Sequence, residues 1–418
     1  MLLSVEINNF LIYNRRAEFS MIANMHYKKF SSNVANIRNA HVLKSAILIG
    51  PNNVGKTNFV RALQTLKQLF LNQNPNLYKN LFSSNPIIEL GISFIEKQEE
   101  FRFEIKYDTS KSEYVFERFC GIQRDSHNYL KIKEYYIRDN SSGTFSAADE
   151  GLTSIMQVAA KNNILIYLLD TASFPHLQKA KEAITAFASR IDIVDMNNIP
   201  IQKTIDMLKQ SEKKHQAIAK FILNADLSLD DFRYLSDDEV KIVLEKPNVE
   251  DNKPQENAIA LSASLTDMLH LTSVYHGIRV PSLLYDSTGT KKMAALASYV
   301  IDALENGRIL VVDELDNSLH FRLTRAIIAL FNNELNQKAQ IIATVHDVSL
   351  LDCHRLFRKE QIWFVHKDKE NAYLYSLSEF TAERDGVRDT SDLIQKYRSG
   401  IFGALPEPDL FPVLTEEV

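Results

Sequence analysis

The sequence predicts an α/β fold in which a largely parallel sheet is covered on both faces by helices. Three observations point there. Short apolar runs at 46–49 and 309–312 alternate with helical patterns at 56–71, 291–305 and 319–331, and such alternation marks a parallel sheet. Those runs are apolar throughout, as strands buried on both faces are. The composition, 45% apolar and 24% charged, is that of a folded globular chain.

Taken in order, alternation over 3–10 and 17–22 predicts an opening antiparallel pair. A buried strand at 46–49 then runs through a glycine-containing loop into a helix at 56–71. Segments 87–95, 101–107 and 130–137 alternate again and predict a meander with polar turns. Residues 151–221 are rich in helix formers; the polar stretch 209–216 inside them fits a short helical insertion, since no heptad pattern persists. Segment 248–257, Asn-Val-Glu-Asp-Asn-Lys-Pro-Gln-Glu-Asn, has loop composition. Strands at 308–312, 340–343, 361–365 and 372–376 complete the pattern. The expected organisation is one α/β domain split in sequence, 1–150 and 258–418, around a helical insertion at 151–257.

With 418 residues the chain exceeds one ordinary single-core domain. Its net charge of −5 disfavours a uniformly basic nucleic-acid binder while leaving room for a local basic groove. Two cysteines, Cys120 and Cys353, cannot build a disulfide framework. No run reaches the ~18 apolar residues of a membrane span and no basic leader opens the chain, so the expectation is a cytoplasmic protein. Trp363 and the two cysteines read as core residues, and His127 stands alone with no zinc spacing around it.

Four stretches carry chemistry. Gly50-Pro51-Asn52-Asn53-Val54-Gly55-Lys56-Thr57 matches the phosphate-binding pattern G-x-x-x-x-G-K-[ST] and lies between a buried strand and a helix, where that loop must lie. Its backbone N–H groups, continuing to Asn58, would wrap phosphates. Lys56 would reach the β and γ phosphates, and Thr57 would hold Mg²⁺. Next, the strand 308–312 delivers Asp313 and Glu314 at its tip: Asp313 can complete a Mg²⁺ shell and Glu314 can polarise an attacking water. Ser287 and Gly289, in Asp286-Ser287-Thr288-Gly289-Thr290 ahead of a helix, form a second anion-binding start, with a plain N-cap as the rival reading. Finally, His346 follows an apolar strand, where it could sense a γ phosphate.

In this order the four stretches resemble an ATPase of the ABC class, more narrowly its RecF/SMC/OLD-like branch, and within it the stand-alone AAA-family ATPases of anti-phage and abortive-infection systems. Asp313-Glu314-Leu315-Asp316-Asn317-Ser318-Leu319-His320 and the tail from Tyr397 to Pro406 also carry the likeness. The resemblance implies an ABC-type P-loop head with a mixed sheet and an inserted helical subdomain, binding ATP and Mg²⁺. It implies that Ser287 and Gly289 act on ATP held by a second subunit, so that heads pair over two nucleotides. It places Asp316 at the aspartate that communicates across such a pair and His346 at the switch histidine. Two departures stand out: Phe321 follows His320 where the group has proline, and no glutamine loop is evident.

Seventy-two residues follow His346 (418 − 346), too few for the Toprim-type nuclease of OLD proteins, and the insertion is too short for an SMC coiled coil. The resemblance therefore implies a hydrolysing sensor or scaffold whose effector, a Toprim-like nuclease, is a separate polypeptide answering to a phage-encoded trigger, as in the PARIS family. The alternative is a RecF/SMC-like repair ATPase that clamps DNA. Its basic pairs, 28–29, 213–214 and 291–292, are scattered. A transport ATPase, which partners membrane proteins, comes last.

Overall fold

The computed structural model describes residues 1–38, 40–124, 130–225, 229–236, 239, 268–351, 356–388 and 391–405. The 248–257 segment, His127, Cys353 and Pro406 lie outside them.

Strands that read as wholly apolar pair with one another. β5 (Ser45–Ile49), β15 (Ile309–Asp313) and β16 (Gln340–Val345) are buried at every residue. They join β11 (Ile191–Asp195), β17 (Ile362–Lys367) and β18 (Ala372–Ser376) in the order β11-β15-β16-β5-β17-β18. The first five run parallel and β18 is antiparallel, so this sheet is mixed. The alternating strands form a second, antiparallel sheet in the order β10-β9-β8-β7-β6-β1-β2. Its members are β1 (Leu2–Asn8), β2 (Ala17–Ser20), β6 (Ile87–Glu96), β7 (Glu99–Asp108), β8 (Glu113–Arg124), β9 (Leu130–Asp139) and β10 (Thr144–Ala147), while β3 (Val34–Ile37) and β4 (Ala40–Leu43) pair by themselves. The expectation of a largely parallel sheet thus holds for one sheet, and the antiparallel one has more strands.

The residue pattern sets the layers. Leu48, Val311 and Ile342 face one core with α1 (Lys56–Phe70), α2 (Pro175–Ser189) and the inner face of the antiparallel sheet. Their chain neighbours Ile47, Ile49, Leu310, Val312, Ile341 and Ala343 face a second core. That core is filled by α5 (Thr288–Asn306) and α6 (Phe321–Asn332). Phe59 of α1 meets Phe19 at 4.8 Å, Phe70 meets Phe103 at 5.2 Å, and Phe187 of α2 stacks on Phe94 at 4.2 Å. Trp363 and Cys120 are buried, as their sequence context predicts.

The middle of the chain is not purely helical. Residues 191–195 form β11 and extend the parallel sheet beside β15, an arrangement the helix-forming context did not show. Arg308 fixes that edge by donating to both Asp192 oxygens, at 2.6 and 2.8 Å. Beyond β11, α3 (Gln202–Gln210) and α4 (Glu212–Ala225) pack on the other side of α5. A small sheet of β12 (Asp231–Tyr234), β13 (Leu271–Tyr275) and β14 (Ile278–Pro281) joins them. Among the described residues no helix is long and apolar enough to cross a membrane.

Candidate functional site

The loops that leave the parallel strands at their carboxyl ends gather along one edge, where open α/β sheets bind ligands. β5 turns into the loop 50–55 at Gly50, where a Cβ would come within 2.4 Å of the Val365 carbonyl oxygen on β17. Only glycine allows that approach. Gly55 caps α1, and its carbonyl accepts the Tyr13 hydroxyl at 3.1 Å. The first turn of α1 holds no acid, so its N-terminal N–H groups and dipole favour an anion. Lys56 is 5% exposed. Its ammonium donates to the carbonyls of Gly50 at 2.5 Å and Pro51 at 2.8 Å and stands 3.3 Å from His346 Nδ1. Burial lowers its pKa to about 8, against the opposing pull of the Asp316, Asp313 and Glu314 carboxylates.

That ammonium can only donate, so His346 Nδ1 accepts and the imidazole proton sits on Nε2. Nε2 lies 3.7 Å from Glu314 Oε1. Glu314 is held below the usual carboxylate range by the Asn317 amide, then by Asn197 and His346. Both amides donate to its Oε2, Asn197 at 2.9 Å and Asn317 at 3.0 Å. Asp313 is buried at the tip of β15, and its Oδ1 accepts the Thr344 hydroxyl at 2.5 Å. Asp316 turns inward within its own chain: its Oδ2 accepts the backbone N–H of His346 at 2.7 Å and of Asp347 at 2.6 Å. Its Oδ1 is buried without a hydrogen-bond partner among the described residues.

Ser287 and Gly289 lie against the loop that follows Asp313. Ser287 is the N-cap of α5, its hydroxyl accepting the Thr290 N–H at 3.1 Å. A Cβ on Gly289 would stand 2.9 Å from the Ser318 carbonyl oxygen, so the start of α5 rests directly on the loop after Asp313. Lys292 strengthens that seam by donating to Asn317 Oδ1 at 2.7 Å. Asn317 therefore bridges the start of α5 to Glu314. Phe321 takes the first position of α6 behind the N-cap His320.

Sequence reasoning missed Asn197, Asn317, Lys292 and Thr344. Asn197 follows β11, on the far side of β15 from the phosphate-binding loop. An amide side chain thus reaches Glu314 from a loop in which no motif was visible.

The residues present fit a nucleotide triphosphate with Mg²⁺. Lys56, the α1 N-terminus and a glycine-permitted close approach supply the phosphate cradle. The exposed Thr57 and the Asp313 carboxylate are hard oxygen donors of the kind Mg²⁺ takes alongside phosphate oxygens. A proton count tests the cradle. With its pKa at about 8, Lys56 is roughly half neutral at pH 8, and a bound triphosphate would restore its charge. Calorimetry in phosphate and Tris at pH 8 is expected to show uptake of about half a proton per ATP, fading below about pH 7. An enthalpy independent of buffer at pH 8 would contradict this.

Among solved structures, the SMC head domain from Thermotoga maritima is 12% identical, with 90% of this chain and 98% of that chain covered and a TM-score of 0.40. The structure described as SmcHead bound to the C-winged helix domain of ScpA is also 12% identical, covers 90% and 97%, and has a TM-score of 0.46. No curated protein matches the sequence. A family model described as "AAA domain, putative AbiEii toxin, Type IV TA system" matches residues 45–352, from β5 to beyond His346. That match spans well over half of the chain, and the chain belongs to that AAA family.

Proposed function

We propose that this chain binds Mg·ATP, hydrolyses it, and serves as the ATP-governed sensor or scaffold of an anti-phage system of the abortive-infection, PARIS-like kind. Two heads close over two nucleotides, with Ser287 and Gly289 of one facing the phosphates bound by Lys56 of the other. A separate effector of the Toprim-like nuclease class is held until a phage-encoded trigger arrives. The observation that carries the reading is the line Lys56–His346–Glu314, assembled at 3.3 and 3.7 Å from three separate loops. The family's description as an AbiEii-type toxin supports the defence context.

The chemistry follows from the side chains. Lys56 leaves the carbonyls of Gly50 and Pro51 for the β and γ phosphates. Glu314, kept ionised by its two amides, takes a proton from a water whose oxygen bonds to the γ phosphorus as the bridging P–O bond to ADP breaks. The Nε2–H of His346 lies toward Glu314 and the reacting phosphate. Mg²⁺, when bound, neutralises charge on the phosphate oxygens.

The test uses Glu314→Gln, expected to hold the ATP-closed state, expressed with its neighbouring genes in a native host. It is purified with ATP and Mg²⁺, and its companions are identified by mass spectrometry. A stoichiometric nuclease-like protein, lost when Lys56→Ala is added, is the expected result. DNA and repair proteins alone would replace this reading with the DNA-clamping one.

A further inference from the structure

Thr344 is neither an acid nor a base, lies two residues before the switch histidine, and is fully buried on β16. β16 runs between β15 and β5, so it separates the strand carrying Asp313 from the one leading into the phosphate-binding loop. Its hydroxyl is used in both directions. It donates its single proton to Asp313 Oδ1 at 2.5 Å and accepts the backbone N–H of Glu314 at 2.8 Å. Its carbonyl accepts the N–H of Leu315 at 3.0 Å. One residue thus grips three consecutive residues of the neighbouring loop.

Glu314 gives this grip a purpose. Its φ is +56°, in the left-handed region that a side chain with Cβ rarely occupies. Such a conformation is strained and persists only where the surroundings over-determine it. Here the Thr344 hydroxyl fixes the N–H on one side of that φ, and the Glu314 carbonyl accepts the Asn317 N–H at 2.8 Å on the other. The same hydroxyl fixes which oxygen of Asp313 it engages: Oδ1 is taken, and Oδ2 is the oxygen left for a cation.

We propose that Thr344 is a positioning residue that sets both acids at once, orienting the Asp313 carboxylate for a divalent cation and locking the Glu314 backbone so that its carboxylate meets a water. The inference rests on the Mg·ATP reading above. Without the hydroxyl, Asp313 loses the donor on its Oδ1 and the part-buried Glu314 N–H loses its partner. Valine matches threonine in shape and lacks both bonds, whereas serine keeps them and lacks only the methyl group.

The experiment titrates Mn²⁺, as a paramagnetic stand-in for Mg²⁺, into the full-length protein saturated with ATP and follows free Mn²⁺ by electron paramagnetic resonance. Outer-shell partners of metal ligands typically govern affinity by 10–100-fold, so Thr344→Val is expected to weaken Mn²⁺ binding by at least ~10-fold. Metal-free ATP binding in EDTA should change less than about twofold, because the phosphate cradle is untouched. Turnover should fall further than metal affinity, since Glu314 is released as well. Thr344→Ser should restore both. Mn²⁺ affinity of a folded Thr344→Val protein within about twofold of wild type would overturn the proposal, as would equal loss in Thr344→Ser. Thr344→Ala takes the place of valine if the latter does not fold. Wild-type protein that binds no Mn²⁺ with ATP would instead sink the Mg·ATP reading itself.

Discussion

Lys56→Ala is expected to weaken ATP binding by at least ~100-fold and to abolish turnover. The ammonium is the one cation that the structure buries in the loop, and hydrogen bonds to a charged group are worth roughly 1.5–3 kcal/mol each, so losing two is enough. Fluorescence titration with a labelled ATP would measure the change. Lys56→Arg is expected to fail almost as badly, because the ammonium sits between carbonyls at 2.5 and 2.8 Å, where a flat guanidinium fork has no room. Stability without nucleotide should not fall. Burial already lowers the pKa of Lys56 to about 8, which means the free protein gains nothing from this charge. Its folded pKa is below the unfolded one, so at neutral pH the charged lysine opposes folding, and the opposition fades as pH rises through 8. The informative outcome is therefore lost binding with no fall in melting temperature. A binding constant within threefold of wild type would show that the loop does not hold phosphate. On the defence reading, plaque protection should vanish with binding; protection that survived Lys56→Ala would remove ATP from the mechanism.

What could be seen in the sequence beforehand was whatever depends on a local pattern. The strand–loop–helix from Ser45 to Phe70 was legible because the loop needs glycine at 50 for the Val365 carbonyl and lysine at 56 for charge, at fixed spacing. Strands β15 and β16 were legible because burial on both faces makes them apolar over most of their length. β8 escaped because its inward face carries an acid, Glu117, which breaks the alternation. β11 escaped for a related reason: only Ile191 and Val194 are buried, so five residues at a sheet edge carry too little pattern. The turn between β6 and β7 uses Lys97 and Gln98, both with positive φ, where the usual signal would be Asn-Gly. Site residues divide in the same way. Lys56, Asp313 and Glu314 announce themselves through chemistry tied to neighbours in sequence. Asn197 lies 117 residues from the carboxylate it donates to, and Asn317 matters because it also touches Lys292, 25 residues away. Amide donors have no motif of their own. Their roles arise from which loops the sheet order brings together, and that order depended on the unforeseen β11.

The acid that hid β8 is expected to be the most costly single side chain to remove for stability. Glu117 and Arg138 are both fully buried and bond at 2.9 Å across β8 and β9. Glu117 also accepts the Tyr136 hydroxyl at 2.5 Å and the Leu165 N–H at 2.9 Å. Arg138 donates onward to the carbonyls of Ala160 at 3.0 Å and Asn163 at 2.8 Å. The pair therefore fastens the segment 160–165 to the antiparallel sheet. Burying two charges is expensive, and their attraction roughly offsets the expense only while both are present. Glu117→Ala leaves the guanidinium stranded in the core, and breaking such a pair typically costs about 3–5 kcal/mol. Chemical denaturation should show that loss. Changing both residues together, Glu117→Leu with Arg138→Met, is expected to recover most of it, because a matched apolar pair removes the stranded charge as well as the bond. The double variant should still give up something, since Ala160, Asn163 and Leu165 lose their anchoring partners. If Glu117→Ala alone unfolds within about 1 kcal/mol of wild type, the pair is not a fastening; if the double variant is as unstable as the single one, the anchoring bonds rather than the stranded charge carry the cost.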